Sequence, residues 1–272
     1  SNRGGINGKN CKRKRMKQMV DIHKNANIGK NLKIDSFSSI HKNVTIGDNC
    51  WIGSNVTIYP GARIGNNCQI FPGAVISAIP QDLKFKGEET TTIIGNNSII
   101  RECVTINRGT SYSNKTIIGS NCFLMAYSHV AHDCIIKDNV IIANGVAIAG
   151  HVEIDDNAII GGLSAIQQFA KIGKFSMVSG GSLVRKDVPP YIKVAKEPLR
   201  FIGINKIGLE RNNFNKEQIG TISSMFRILF QEGNNISKAI EIIKKNTQNC
   251  IEKEEIIKFI KNSKTGIVKG FY

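Results

Sequence analysis

"IGDNCWIGSNVTIYPGARIGNNCQI" (46–70) places an isoleucine at every sixth residue, with Gly, Asn or Asp behind most of them and a small residue in fifth place. A period of six scatters side chains around a helix of 3.6 residues per turn, so the stretch is not helical. It fits short strands joined by tight turns, each hexad burying one aliphatic residue. Gly, Asn and Asp at positions two to four supply the turn chemistry, including positive φ where it is needed. Working outward, isoleucine stands at 28, 34, 40, 46, 52, 58, 64, 70 and 76. The register breaks at "SAIPQDLKFKGEETTT" (77–92), resumes at Ile94, Ile100 and Ile106, and breaks again around "GTSYSNKT" (109–116). From Ile118 to Val184 the aliphatic spacing of six continues without error.

Such a repeat predicts a mainly β protein, a parallel β-helix whose coils stack at the ~4.8 Å strand spacing. The two prolines of "DVPPY" (187–191) stop strand pairing. Beyond them the period changes. "NKEQIGTISSMFRILFQEGN" (215–234) has Ile219, Ile222, Phe226 and Leu229 at helical spacing behind Asn215, a good N-cap. Residues 236–246 and 252–262 read as two more amphipathic helices. The expected organisation is a basic leader over 1–18, a β-helix over 19–190 with excursions at 77–92 and 109–116, and a small α-helical domain over 191–272. The leader reads as disordered or as a remnant of expression cloning, with Met19 a plausible natural start.

Bulk properties narrow the function classes. The chain has 272 residues, 41% of them hydrophobic and 7% aromatic, which suits an aliphatic, repetitive interior. The longest apolar runs are only a few residues, so neither a membrane span nor a secretory signal is expected, and the reading is cytoplasmic. Seven cysteines form no CxxC pair, which argues against a disulfide framework and a cysteine zinc site. Four of them (Cys50, Cys68, Cys122, Cys134) fall on the small fifth position and read as packing residues. The net charge of +16 divides into +7 over 1–18, +6 over 199–272 and +3 between them. The basic run "KRKRMK" (12–17) is compatible with a nucleic-acid arm or a targeting piece, and the reading as a disordered leader or cloning remnant is preferred. The basic C-terminal part would attract an acidic partner.

The hexads resemble those of hexapeptide-repeat proteins, which wind three hexads per coil; on that count "HVAHDC" (129–134) and His151 gather three histidines within about one coil. His132 and His151 are one coil plus one residue apart and should share a side of neighbouring coils. Taken alone, the trio is compatible with zinc, with a general base and substrate contacts, or with plain surface. The first excursion adds Gln81, Asp82 and Lys84, and loops longer than a scaffold requires are often functional.

"QDLKFKGE" (81–88), "IRECVTINRGT" (100–110), "HVAHDC" (129–134), "ANGVAIAGHV" (143–152), "IIGGLSAIQQF" (159–169) and "DVPPY" (187–191) occur in that order. Together they resemble the UDP-N-acetylglucosamine O-acyltransferases that begin lipid A biosynthesis in Gram-negative bacteria, over roughly residues 19–272. The resemblance implies three hexads per coil, a left-handed prism, and a homotrimer with sites between subunits. It implies transfer of an (R)-3-hydroxyacyl chain from acyl carrier protein to the 3-OH of UDP-N-acetylglucosamine. The phosphopantetheine thioester serves as co-substrate, and no metal or cofactor is needed. It makes His132 the general base, with Asp133 beside it and the Gly150 N–H on the oxyanion. Asp82, Lys84, Asn107, His129, His151, Gln168, Asn205 and Arg211 would bind substrate, with Lys84 and Arg211 on phosphate charges. Gly180 would leave room for a longer acyl chain, about fourteen carbons rather than ten.

Three positions depart from the family pattern. Asn107 and Gln167 stand where histidines are usual, and Ile207 replaces an acidic residue near the nucleotide. The change at Asn107 keeps a 3-amino acceptor open as an alternative. A zinc hydratase on the same scaffold and a nucleic-acid-binding scaffold are the readings from other classes.

Overall fold

The computed structural model describes residues 19–270; the basic leader lies outside the described residues. From Asp21 the chain winds into a triangular prism with three parallel faces. Face 1 has nine strands, from Asp21–Ile22 to Leu183–Val184; face 2 has eight, from Asn27–Ile28 to Lys171–Ile172. Face 3 begins at Lys33–Ile34 and has ten strands. Each regular strand is two residues long and ends on the repeating aliphatic residue. That residue points inward while its neighbour points out, because strand side chains alternate.

Register follows the period. Thr45 pairs with Arg63 and Ile46 with Ile64, 18 residues on, and every regular coil repeats this pairing. Like therefore stacks on like: Ile52, Ile58, Ile70 and Ile76 are each 0% exposed. Each fully buried side chain of this size contributes about 2 kcal/mol. Cys50, Cys68, Cys122 and Cys134 are buried free thiols at the fifth position, as expected. The turn residue at position four takes positive φ. At the corner between faces 2 and 3 it is Asn31, Asn49, Asn67, Asn97, Asn121, Asn139 and Asn157, and only the last is not asparagine: Phe175.

Both register breaks fall at one corner. The first runs from Val75–Ala78 on face 1 to Thr91–Ile94 on face 2. The second runs from Thr105–Asn107 on face 1 to Lys115–Ile118 on face 2. The excursions are shorter than expected by a few residues, because their flanking strands lengthen and pair across the break.

The pattern change at 187–191 marks the last coil rather than a clean stop. Beyond the prolines, Ile192–Ala195 still pairs in parallel with Met177–Val178, and Arg200–Ile204 folds back antiparallel on it. Four helices follow: α1 (Lys206–Arg211), α2 (Lys216–Phe230), α3 (Ile236–Asn246) and α4 (Ile251–Asn262). Sequence periodicity predicts the last three and misses α1, which is under two turns long. Asn215 caps α2 through a capping box with Gln218. The helices are fastened to the prism by the buried Asp187, which accepts from Ser263 and Thr265 hydroxyls at 2.6 and 2.8 Å. The Tyr191 hydroxyl donates to Glu255 at the same junction.

Candidate active site

At the corner between faces 1 and 2, position three of successive coils is His132, Gly150 and Gln168, and position four is Asp133, His151 and Phe169. Backbone bonds stack these turns directly: His151 N–H donates to His132 O (3.1 Å) and Phe169 N–H to Gly150 O (3.2 Å). Asp133, His151 and Phe169 all have positive φ, at 59°, 62° and 66°. A histidine or phenylalanine there costs on the order of 1 kcal/mol, where asparagine is tolerated better.

His132 is 6% exposed and Asp133 4%. His132 Nδ1 lies 2.8 Å from Asp133 Oδ2. With the carboxylate ionised, Nδ1 carries the proton and Nε2 is bare, free to accept one. Burial alone would push the Asp133 carboxyl up, but hydrogen bonds from Ser113, Thr110 and His132 outweigh it and hold the group down at about 2. Gly150 sits under the ring. A Cβ built there would lie 2.6 Å from His132 Cε1 and 2.8 Å from Nε2, so only glycine leaves the imidazole its place. Among the described residues the Gly150 N–H has no protein acceptor.

The rings of His132 and His151 meet edge to face at 5.0 Å, and His151 stacks on Phe169 at 4.4 Å. Tyr112, from the second excursion, stands edge-on to His151 at 4.4 Å. Burial lowers the proton affinity of His151, the Asp133 charge partly offsetting it, and Asp82 on the first excursion acts on the same ring. His129 points out of face 1 with Nδ1 2.7 Å from the Thr105 hydroxyl, and burial lowers its affinity too. His132, Asp133 and His151 each offer an atom within 4.8 Å of the others, and together they could hold a metal ion.

The remaining expected residues divide. Lys84 is exposed and Asp82 half-buried on the first excursion, at this corner; Gln168 is exposed beside Gly150. Asn107 is buried, its amide donating to Ile79 O at 3.1 Å, so it braces the first excursion. Asn205 is also buried and donates to Phe175 O at 2.9 Å, at the corner between faces 2 and 3. Arg211 is exposed at the end of α1, which starts at that same place. Gly180 belongs to the third corner, between faces 3 and 1, with nothing nearer to an added Cβ than Gly162 O at 3.1 Å. One chain thus gathers His132, Asp133, Gly150, His151, Gln168 and Asp82 at one corner, and leaves Asn205, Arg211 and Gly180 at the others. Sequence reasoning missed Thr110, Ser113 and Tyr112. Their signal was the second register break itself.

A prism of stacked hexads with a histidine–carboxylate pair at one corner defines the class: a hexapeptide-repeat transferase. The profile described as bacterial transferase hexapeptide matches residues 43–78 and 115–150. The one described as UDP-N-acetylglucosamine O-acyltransferase, domain 2, matches 187–268. The chain belongs to the UDP-N-acetylglucosamine O-acyltransferase family. An acyl-[acyl-carrier-protein]–UDP-N-acetylglucosamine O-acyltransferase of Aliarcobacter butzleri is 45% identical over 73% of this chain and 76% of its own. One of a Synechocystis species is 46% identical over 64% of this chain and 63% of its own, just under two thirds of that relative's length. Among solved structures, a UDP-N-acetylglucosamine acyltransferase of Bacteroides fragilis superposes with a TM-score of 0.92 at 47% identity, covering 93% of this chain and all of that one. An Arabidopsis UDP-N-acetylglucosamine acyltransferase superposes at 0.81 with 31% identity over 92% and 98% of the two chains. The prism is left-handed, as the resemblance implied.

Proposed function

We propose that this chain transfers an (R)-3-hydroxyacyl group from acyl carrier protein to the 3-OH of UDP-N-acetylglucosamine, with His132 as general base. The observation that carries the mechanism is the His132–Asp133 pair with the bare Nε2 above Gly150. Nε2 takes the hydroxyl proton as the sugar oxygen attacks the thioester carbonyl. The Gly150 N–H donates to the tetrahedral oxyanion. Collapse forms the ester, breaks the C–S bond, and returns the proton from Nε2 to the departing thiolate. The thioester already carries an activated acyl group, so the step calls for no metal or cofactor.

The working unit is a homotrimer in this reading. Two observations support it. Expected site residues occupy three different corners of one prism, which only neighbouring copies can bring together. In addition, face 3 carries Ile99, Phe123, Ile141, Ile159 and Met177 outward in one column of register. Tyr127 and Leu163, 71% and 78% exposed, stand on the adjoining corner. Acyl carrier protein, which is acidic, suits the basic C-terminal part. Among the described residues no helix is long and apolar enough to cross a membrane, and the cytoplasm is the expected location.

A product assay tests the function, using a panel of 3-hydroxyacyl carrier proteins against UDP-N-acetylglucosamine and its 3-amino analogue, with and without chelator. Transfer to the hydroxyl sugar is expected, insensitive to chelator and abolished in a folded His132→Ala trimer. Near-normal turnover by His132→Ala overturns the mechanism, and a preference for the amine overturns the acceptor.

A further inference from the structure

The second excursion touches neither face 1 nor face 2 as a strand; it wraps Asp133. Oδ1 accepts from the Thr110 N–H at 3.0 Å, the Ser113 N–H at 3.2 Å and the Ser113 hydroxyl at 2.5 Å. Oδ2 accepts from the Thr110 hydroxyl at 2.7 Å and from His132 Nδ1 at 2.8 Å. Ser113 has one hydroxyl proton and a second acceptor in reach, Lys115 O at 2.9 Å. The charged and nearer carboxylate is the stronger claimant. Thr110 Oγ1 also accepts from Tyr112 N–H, which locks the turn that aims it.

Five donors fill the carboxylate, which has about four lone-pair sites. His151 Nδ1 lies 3.9 Å from Oδ2, too far for a bond, and is buried with no partner. A buried nitrogen so close to a carboxylate would ordinarily be drawn onto it, because leaving it unbonded forfeits its solvation without a replacement bond. Oδ2, the oxygen nearest His151, already accepts from the Thr110 hydroxyl and from His132, which takes both its lone-pair sites.

We propose that Thr110 and Ser113 are positioning residues, whose donors saturate Asp133 so that it bonds His132 and not His151. This rests on the acyl-transfer reading above. His132 is thereby fixed with Nε2 over Gly150, and His151 keeps its ring free for the substrate. Two histidines beside one carboxylate would otherwise compete, and a bond to His151 would loosen the base. The other titratable groups facing these rings are Asp82 from the first excursion, His129 from face 1 and Tyr112, edge-on to His151. None of them is replaced in the variants below.

The test uses the full chain with Thr110→Val, Thr110→Ser, Ser113→Ala and Ser113→Thr. Ser113→Ala should lower kcat by about tenfold, the loss of one hydrogen bond to a charge, with KM little changed. Thr110→Val should also raise KM for the sugar nucleotide, since His151 turns to Asp133. In both, a carboxylate short of a donor holds an imidazolium more firmly, so the acid limb of kcat/KM moves to higher pH. The hydroxyl-retaining Thr110→Ser and Ser113→Thr should restore the profile. Titration of ring nitrogens in 15N-histidine-labelled protein reads the same network without turnover: the His151 signal of Thr110→Val should titrate at higher pH than in the parent. Superimposable pH profiles and unchanged His151 titration in Thr110→Val and Ser113→Ala overturn the proposal. Absence of acyl transfer in the parent enzyme would remove the function but leave the titration test standing. If Thr110→Val does not fold, Ser113→Ala, which keeps every backbone donor, decides the matter alone.

Discussion

Two corners of the same prism obey different rules. Between faces 2 and 3 the repeat is followed closely: asparagine takes the positive-φ position coil after coil, and side chains bond along the column. Asn31 donates to Asn49 at 3.0 Å, Asn67 to Asn97 at 3.2 Å, and Asp48 Oδ1 accepts from the Lys30 N–H at 2.6 Å. Between faces 1 and 2 the same position holds Asp133, His151 and Phe169, and both excursions interrupt the winding. The first corner is built for stability. The second accepts local strain to hold a histidine–carboxylate pair and an unbonded imidazole, which is where agreement between local preference and fold is expected to fail.

Breaking the second corner should cost activity most. Gly150→Ala puts a methyl against the His132 ring and should lower kcat by on the order of a hundredfold, with circular dichroism and the mass in solution unchanged. Next is Asp133. Its folded-state value of about 2 lies below the ordinary 3.8. Its stabilising contribution, about 2 kcal/mol, is therefore complete above pH ~4 and lost as the pH falls towards 2. The stability gap between parent and Asp133→Asn in urea unfolding should shrink over that window, and a gap constant with pH would refute the linkage. At the first corner, Asn67→Ala removes both an easy positive φ and a ladder bond. It should cost about 1–2 kcal/mol in unfolding free energy with turnover per folded enzyme unchanged. The smallest effect sharpens the comparison: His151→Asn gives the second corner the first corner's residue. Stability should rise by about 0.5–1 kcal/mol while kcat/KM falls. A destabilised His151→Asn would show that the strain at this corner is not what separates the two.

Much of this was legible beforehand for a physical reason. A hexad repeat buries one aliphatic residue every six positions, so periodicity predicted a parallel β-helix, its Ile column and the buried Cys50, Cys68, Cys122 and Cys134, while the three-sided coil came from the family resemblance. Cap chemistry at Asn215 and apolar spacing predicted α2, α3 and α4 within a few residues. The motif "HVAHDC" pointed to His132 and Asp133. Asn107 and Asn205 read as substrate contacts; the structure shows both buried, each donating its amide to a backbone carbonyl, with Asn107 Oδ1 left without a partner. A polar residue in a motif has the same letter whether it faces a ligand or braces a loop.

The sequence by itself determined what repeats: the faces, the register, the core and the helices, because each depends on neighbours at fixed spacing. Only the tertiary structure decided what does not repeat. It brought both excursions to the corner of His132, turned Thr110 and Ser113 onto Asp133, and left His151 Nδ1 without a partner. Loop conformation follows from which donors reach which acceptors across coils, and no period in the chain encodes that.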